Sequence, residues 1–183
     1  FNIHVHNIDM ARSILVRKKY PLDGVVNGHL HIYRTENDPT IVPSIDLNIK
    51  DLGIDEAYIG DINVAVKADI GNRFISTNAI LDNQGKRKLD ISGGINILEK
   101  SLSPEIYITL DSLDIAPVHY LLPSVFNKSS GTLSADLSMI EGNITVPNIN
   151  GHVTLNDANL GIAFTNVEYA VTHGARVPVK NSF

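Results

Sequence analysis

Apolar and polar residues alternate with a period of two along most of the chain. From Leu133 to Met139 every second residue is apolar, and the residues between them are serine and aspartate. This period is typical of a β-strand with one apolar and one polar face. Further along, Asn150-Gly151 is the dipeptide most typical of a tight hairpin turn, because both residues tolerate positive φ. We therefore predict that residues 131–162 form a meander of one-sided strands.

Two distant segments of the chain resemble each other. Pro39–Ile54 matches Pro147–Ile162 without a gap, and both segments carry Leu-Asn in the middle and end in Leu-Gly-Ile. A match of this length predicts tandem supersecondary units that stack on one another. We accordingly predict two β-groove repeat units, residues 1–109 and 110–183, which are continuous in one elongated domain.

The rest of the chain predicts an all-β fold. About ten one-sided strands can be counted, and the turns between them favour an antiparallel meander. Two pieces have helical character, one that follows Asp9 as a possible cap and one over residues 116–126. Gly93-Gly94 interrupts an apolar alternating run and predicts a bulge or a bend. The predicted fold class is all-β, mostly an antiparallel meander, with one or two short helices.

Composition excludes several classes of function. The net charge of −5 argues against nucleic acid as a partner, because phosphate binding needs a basic surface. The chain has no cysteine and therefore no disulfide frame and no thiolate metal site. No apolar run reaches the length of about 18 residues that a membrane-spanning helix needs.

Few residues suggest chemistry. Two His-x-His pairs, His4/His6 and His29/His31, could each place two imidazoles on one metal ion. A third ligand such as Asp23 or Glu36 would be needed, and the interpretation that we prefer is histidines that face solvent. No nucleophile has an evident base, and the carboxylates form no recognisable pair. We predict no enzyme activity, no cofactor and no metal site.

The segment from Leu110 to Val171 carries an ordered set of residues. An apolar piece is followed by a proline, by Ser-Gly-Thr, and then by spaced glycine, proline, leucine and alanine: Leu110, Leu113, Ile115, Pro123, Ser130, Gly131, Thr132, Gly142, Pro147, Gly151, Leu155 and Ala158. In this order and spacing the segment resembles the C-terminal region of the TamB family of AsmA-like proteins. Asp136 stands near a common glycine of that pattern, and Pro43 replaces the equivalent of Gly151 in the earlier copy.

The resemblance implies a location and an activity. TamB-like proteins are anchored in the inner membrane of Gram-negative bacteria and cross the periplasm as a long β structure, an open taco with an apolar groove. They are thought to carry phospholipid, or to assist outer-membrane protein assembly, toward an outer-membrane partner of the TamA/BamA type. The chain is thus expected to be a periplasmic piece of a longer protein whose membrane anchor lies outside it.

A one-sided sheet must cover its apolar face with a partner, with itself or with a ligand. The apolar residues of the predicted strands would line the groove: Leu30, Ile32, Ile45, Leu47, Ile62, Val64, Val66, Ile106, Ile108, Leu133, Leu137, Met139, Val153, Leu155, Ile162 and Phe164. The alternative is a structural or adhesive β-repeat module with a closed core and no cargo. An enzyme or metal-binding β-domain is a third, less favoured interpretation.

Overall fold

A computed structural model of the chain describes residues 2–10, 22–35, 38–55, 57–69, 71–97, 102–143, 146–163, 167–171 and 175–181. These residues form an all-β fold, as the alternation predicts. The strands, in chain order, are β1 (Asn2–Asp9), β2 (Leu22–Thr35), β3 (Asp38–Ile54), β4 (Ala57–Asp69), β5 (Phe74–Asn83), β6 (Lys86–Ile97), β7 (Leu102–Asp114), β8 (Phe126–Asn143), β9 (Val146–Ile162), β10 (Val167–Val171) and β11 (Ala175–Asn181). One short helix, α1 (Val118–Leu121), lies between β7 and β8.

The strands form one antiparallel sheet in which neighbours in sequence are neighbours in space. Strands β1 to β9 follow one another across the sheet, and β10 and β11 both pair with the far edge of β9, at different positions along it. Among the described residues β1 pairs with β2 alone, so the sheet does not close into a barrel. The predicted antiparallel meander is therefore confirmed.

The strands are longer than predicted, and the prediction of a turn at Asn150-Gly151 is wrong. Both residues lie inside β9, a strand of 17 residues, where Gly151 pairs with Leu137 of β8 and Val179 of β11. Residues 131–162 thus belong to two long strands rather than to a meander of several strands. Gly151 keeps its place in the alternation, and its φ of +144° is a conformation that glycine adopts inside a strand without a turn.

Of the two alternatives predicted at Gly93-Gly94, the bulge is wrong, and the bend stays a prediction. The register between β5 and β6 and between β6 and β7 runs through both glycines without a shift. A Cβ at Gly93 would overlap the carbonyl oxygen of Glu105, and one at Gly94 would overlap the carbonyl oxygen of Ile75. These glycines therefore allow a close approach of neighbouring backbones.

Of the two predicted helical pieces, one is shorter than predicted and the other lies outside the described residues. The piece predicted over residues 116–126 shrinks to the single turn of α1, and Phe126 already begins β8. Buried Ser129 holds this turn: its Oγ donates to the carbonyl of Ala116 (3.0 Å) and accepts from the backbone N–H of His119 (3.1 Å). The piece after Asp9 falls on residues 11–20, which lie outside the described part of the chain.

Deeply buried apolar side chains are few among the described residues. Apart from prolines, six are buried, and most lie toward the end of the sheet where β3 and β9 finish and α1 packs: Met10, Ile54, Leu81, Ile115, Ala135 and Ala158. The accessible surface is 11762 Å², against the roughly 8,700 Å² expected for a compact 20 kDa protein. Most apolar side chains of the described strands are half-buried or exposed instead.

The two matching sequence segments occupy corresponding strands. β3 and β9 each have 17 residues, and their first and last residues differ by the same 108 positions as the segments do. Each is the second strand of a long hairpin, with β2 and β8 as the respective first strands. The predicted boundary between residues 109 and 110 falls within β7, so the two predicted units share a strand.

Candidate functional site: the apolar face

The register aligns apolar positions from strand to strand. Because directly opposed residues of an antiparallel pair point to the same face, consecutive pairings can be followed across the whole sheet. One such row contains Ile3, Leu30, Ile45, Val66, Thr77, Gly93, Ile106, Met139 and Ile149. The next row contains Val5, Gly28, Leu47, Val64, Ala79, Ile91, Ile108, Leu137 and Gly151. We call the side of the sheet that carries these rows the apolar face.

Fourteen of the sixteen predicted groove residues lie on the apolar face: Leu30, Ile32, Ile45, Leu47, Ile62, Val64, Val66, Ile106, Ile108, Leu133, Leu137, Met139, Val153 and Leu155. All fourteen are half-buried rather than buried. The side chain of Ile162 and the whole of Phe164 lie outside the described part. The face is thus neither a sealed interior nor a fully solvated surface.

The predicted groove wall did not include β5 and β6, although the alternating apolar run around Gly93-Gly94 was recognised in β6. Six apolar residues of these strands continue the rows: Ile75, Ala79, Leu81, Leu89, Ile91 and Ile95. The signal was present, because positions 75, 77, 79 and 81 are alternate residues of one strand. It was obscured by Phe74 and Ile80, two apolar residues on the other face of the sheet, where they pair with Asn96 and Asp90.

The opposite, polar face is more exposed. His29, Lys67, Asn78, Thr109, Asp136 and His152 are all exposed and belong to its rows. Three shallow depressions of about 370, 360 and 440 Å³ are lined mostly by residues of this face. The contrast in exposure between the two faces follows the alternation of the sequence.

Glycines on the apolar face mark places where the sheet can bend. Gly28, Gly93 and Gly151 lie in the two apolar rows, and a Cβ on each would collide with a backbone carbonyl of the neighbouring strand. At Gly28 the nearest atom would be the carbonyl oxygen of Asp46, 2.5 Å away. Missing side chains on one face let a sheet curve toward that face.

The polar face brings the predicted histidine pairs together. His4 lies directly opposite His29, and the ring of His4 also stacks on that of His6. The carboxylate near His29 is that of Asp46 and not of Asp23, which pairs with Gly53 some 20 Å away along the strands. Glu36 lies outside the described residues. As they stand, no three histidine or carboxylate side chains of the described residues are arranged to hold a metal ion.

The contact between His119 and the buried Ser129 has a structural role. His119 Nδ1 lies 2.7 Å from the carbonyl oxygen of Ala116 and 3.1 Å from Ser129 Oγ. Because Ser129 Oγ–H donates to the same carbonyl, its proton is directed away from the imidazole. The contact holds a turn together and does not resemble a nucleophile activated by a base.

Within the described part of the chain, Tyr58 and Asp69 have shifted pKa values, and both lie near turns. Partial burial, followed by the carboxylates of Asp61 and Asp51, raises the pKa of Tyr58. Hydrogen bonds from the side chain and the backbone of Asn72, against a weak opposing effect of burial, lower the pKa of Asp69. Neither residue belongs to the apolar rows.

Comparison with protein-family models, with curated proteins and with solved structures finds no match to this chain. Membership of the TamB family therefore stays a prediction that depends on the resemblance of the sequence. Within the described residues no helix has the length and the apolar character needed to cross a membrane.

Proposed function

We propose that the apolar face is the wall of an open groove that binds the acyl chains of phospholipid. The observation that carries this proposal is the continuity of the apolar rows across nine strands, with side chains that are only half-buried. Such a face is unfavourable in water unless something apolar covers it. The glycines of the rows favour curvature toward this face, which would turn a flat sheet into a trough.

The dimensions suit a fatty acyl chain. Nine strands at a spacing of about 4.8 Å give a row of about 38 Å, longer than an extended acyl chain of common length. Each CH₂ transferred from water to the row contributes about 0.8 kcal/mol, so binding needs no specific polar contact. This accounts for a functional surface without a sharp motif.

The resemblance to the TamB family supplies the cellular setting of the proposal. The protein would act in the periplasm as a segment of a hydrophobic conduit between the inner and outer membranes, with an outer-membrane partner of the TamA/BamA type. The matching 17-residue strands β3 and β9 support a construction from tandem repeat units. Assistance to outer-membrane protein assembly is the other activity of this setting, with an unfolded polypeptide in the groove instead of lipid.

A structural module with a closed core is the second candidate. It is favoured by the buried side chains at one end of the sheet, among them Ile54, Leu81 and Ile115. In such a module the middle of the apolar face would be covered by the protein itself. The two candidates differ in whether apolar ligand accompanies the purified protein.

Mass spectrometry of the protein purified without detergent from Gram-negative periplasm tests the proposal. We expect phospholipid in a fixed ratio to protein, and its loss in a variant that carries Leu137→Asp. A control variant, Ser138→Asp, changes the adjacent residue on the polar face and should keep the lipid. Repeated absence of lipid from the folded protein would overturn the proposal, and recovery of unfolded polypeptide instead would favour the assembly role.

A further inference from the structure

A cluster of histidines occupies the polar face at the β1 edge, away from the apolar rows. His4 and His6 of β1 point to the same face because they are two residues apart in one strand. His29 of β2 lies directly opposite His4. The sequence alone leaves these residues in separate pairs, and the register of β1 on β2 brings three imidazoles side by side.

The rings lie within reach of one another. The ring centroids of His4 and His6 are 6.2 Å apart, and those of His4 and His29 are 6.1 Å apart. Opposed residues of an antiparallel pair have Cβ atoms about 5 Å apart, which allows both side chains to reach one point above the sheet. Two imidazole nitrogens on one zinc ion need to be only about 3.3 Å apart, given Zn–N bonds of about 2.0 Å.

A carboxylate already orients one of the rings. Asp46 Oδ2 lies 3.1 Å from Nε2 of His29, on the side of the ring away from β1, because Asp46 belongs to β3. Histidines that bind metal usually make such a bond to a carboxylate through the nitrogen that does not hold the ion. The same four residues line a depression of about 370 Å³, whose other walls include Asn48 and Asn63.

We propose that His4, His6 and His29 bind a divalent transition-metal ion, with Asp46 as the residue that positions His29. Imidazole ligands suit Zn²⁺, Cu²⁺ and Ni²⁺ rather than Mg²⁺ or Ca²⁺. The site forms by rotation of side chains, since the three rings do not converge on one point in the arrangement described. His4, His6 and His29 are exposed, so these rotations displace no packed neighbour. This site is independent of the apolar face.

Titration of the protein with Zn²⁺ in a calorimeter tests the site, and the protein must carry no histidine tag. We expect one ion per chain. His4→Gln and His29→Gln should each weaken binding at least tenfold, and Asp46→Asn should weaken it by about 10–100-fold because the orientation of His29 is lost. With Cu²⁺, electron paramagnetic resonance should show three nitrogen ligands in the unmodified protein and two in His6→Gln.

His152 provides a matched control. It is an exposed histidine on the same face and lies opposite a carboxylate residue, Asp136, but its strand partners are not histidines. His152→Gln should leave the affinity and the stoichiometry unchanged. The proposal is overturned if the unmodified protein does not bind Zn²⁺, or if His4→Gln and His29→Gln, folded by circular dichroism, bind it as the unmodified protein does. Equal loss in His152→Gln would show scattered surface binding and overturn it as well.

Discussion

Leu137 of β8 lies directly opposite Gly151 of β9, and the missing side chain of the glycine leaves room for the backbone of β8. A Cβ on Gly151 would overlap the carbonyl oxygen of Asp136, the residue before Leu137. The position at which the sequence predicts a turn is thus a point of close approach between two long neighbouring strands of the sheet. The pair lies about half-way along the two strands, where the second apolar row ends at β9.

Gly151→Ala should destabilise the protein by at least about 2 kcal/mol. The substitution combines a steric overlap with a φ of +144°, which side chains rarely adopt. Gly71→Ala is the control, because its Cβ would meet only Asp69 Oδ1 at 3.5 Å. Urea denaturation measures both variants. Equal stability of Gly151→Ala and the unmodified protein would contradict a close approach of β8 to Gly151.

Leu137→Asp should abolish binding of a fluorescent fatty acid, whereas Ser138→Asp should not. The two residues are adjacent in β8 and point to opposite faces, so the added charge enters the proposed groove only in the first variant. Burial of a charge among Leu and Ile side chains is unfavourable. Circular dichroism checks that both variants keep their β content. Unchanged probe binding by a folded Leu137→Asp variant would remove this residue from the wall.

Truncation of two leucines separates an open face from a closed core. Leu81→Ala should cost about 2–4 kcal/mol of unfolding free energy, because Leu81 is 3% exposed. Leu137→Ala should cost about 1 kcal/mol, since its half-buried side chain loses less contact on truncation. Thermal or chemical denaturation without lipid gives both values. If the two losses were equal, the surroundings of Leu137, half-way along the strands, would be packed as tightly as those of Leu81, near the end of β5.

Asn72→Ala should raise the pKa of Asp69 toward its ordinary value. The amide Nδ2 of Asn72 donates to Asp69 Oδ2 at 2.8 Å, and its backbone N–H donates to Oδ1 at 3.1 Å and remains in the variant. Because folding lowers this pKa, the stabilisation is fully present above the pKa of the unfolded chain and is lost as the pH falls through the folded value. NMR titration of the carboxyl carbon measures the shift. Asn78→Ala, an exposed asparagine of the adjacent strand, should leave it unchanged.

Much of the fold could be predicted from the alternation of residue types. The period of two identified the strands and assigned Leu30, Ile45 and Val66 to one face, because a side chain's face depends only on its position within the strand. The lengths of the strands were harder to predict. Asn150-Gly151 favours a turn by its local preference, but Gly151 pairs with residues on both sides and lies inside a strand.

The sites differ in how far the sequence anticipates them. His4/His6 and His29/His31 are visible as pairs in the sequence, but nothing in it selects Asp46 over Asp23 as the nearby carboxylate. That choice depends on which residue of β3 lies opposite His29. A shift of the register by one residue would have turned a different set of side chains toward the histidines.

The sequence by itself determined that this protein is a sheet with two unlike faces, because the alternation of residue types and the period of a strand are both local properties. Tertiary structure decided where the strands end, which rows run unbroken across nine strands, and that Ile108 stands beside Leu137 while His4 stands beside His29. These features depend on the register between strands, which arises from contacts between residues far apart in the chain. No local pattern specifies such contacts.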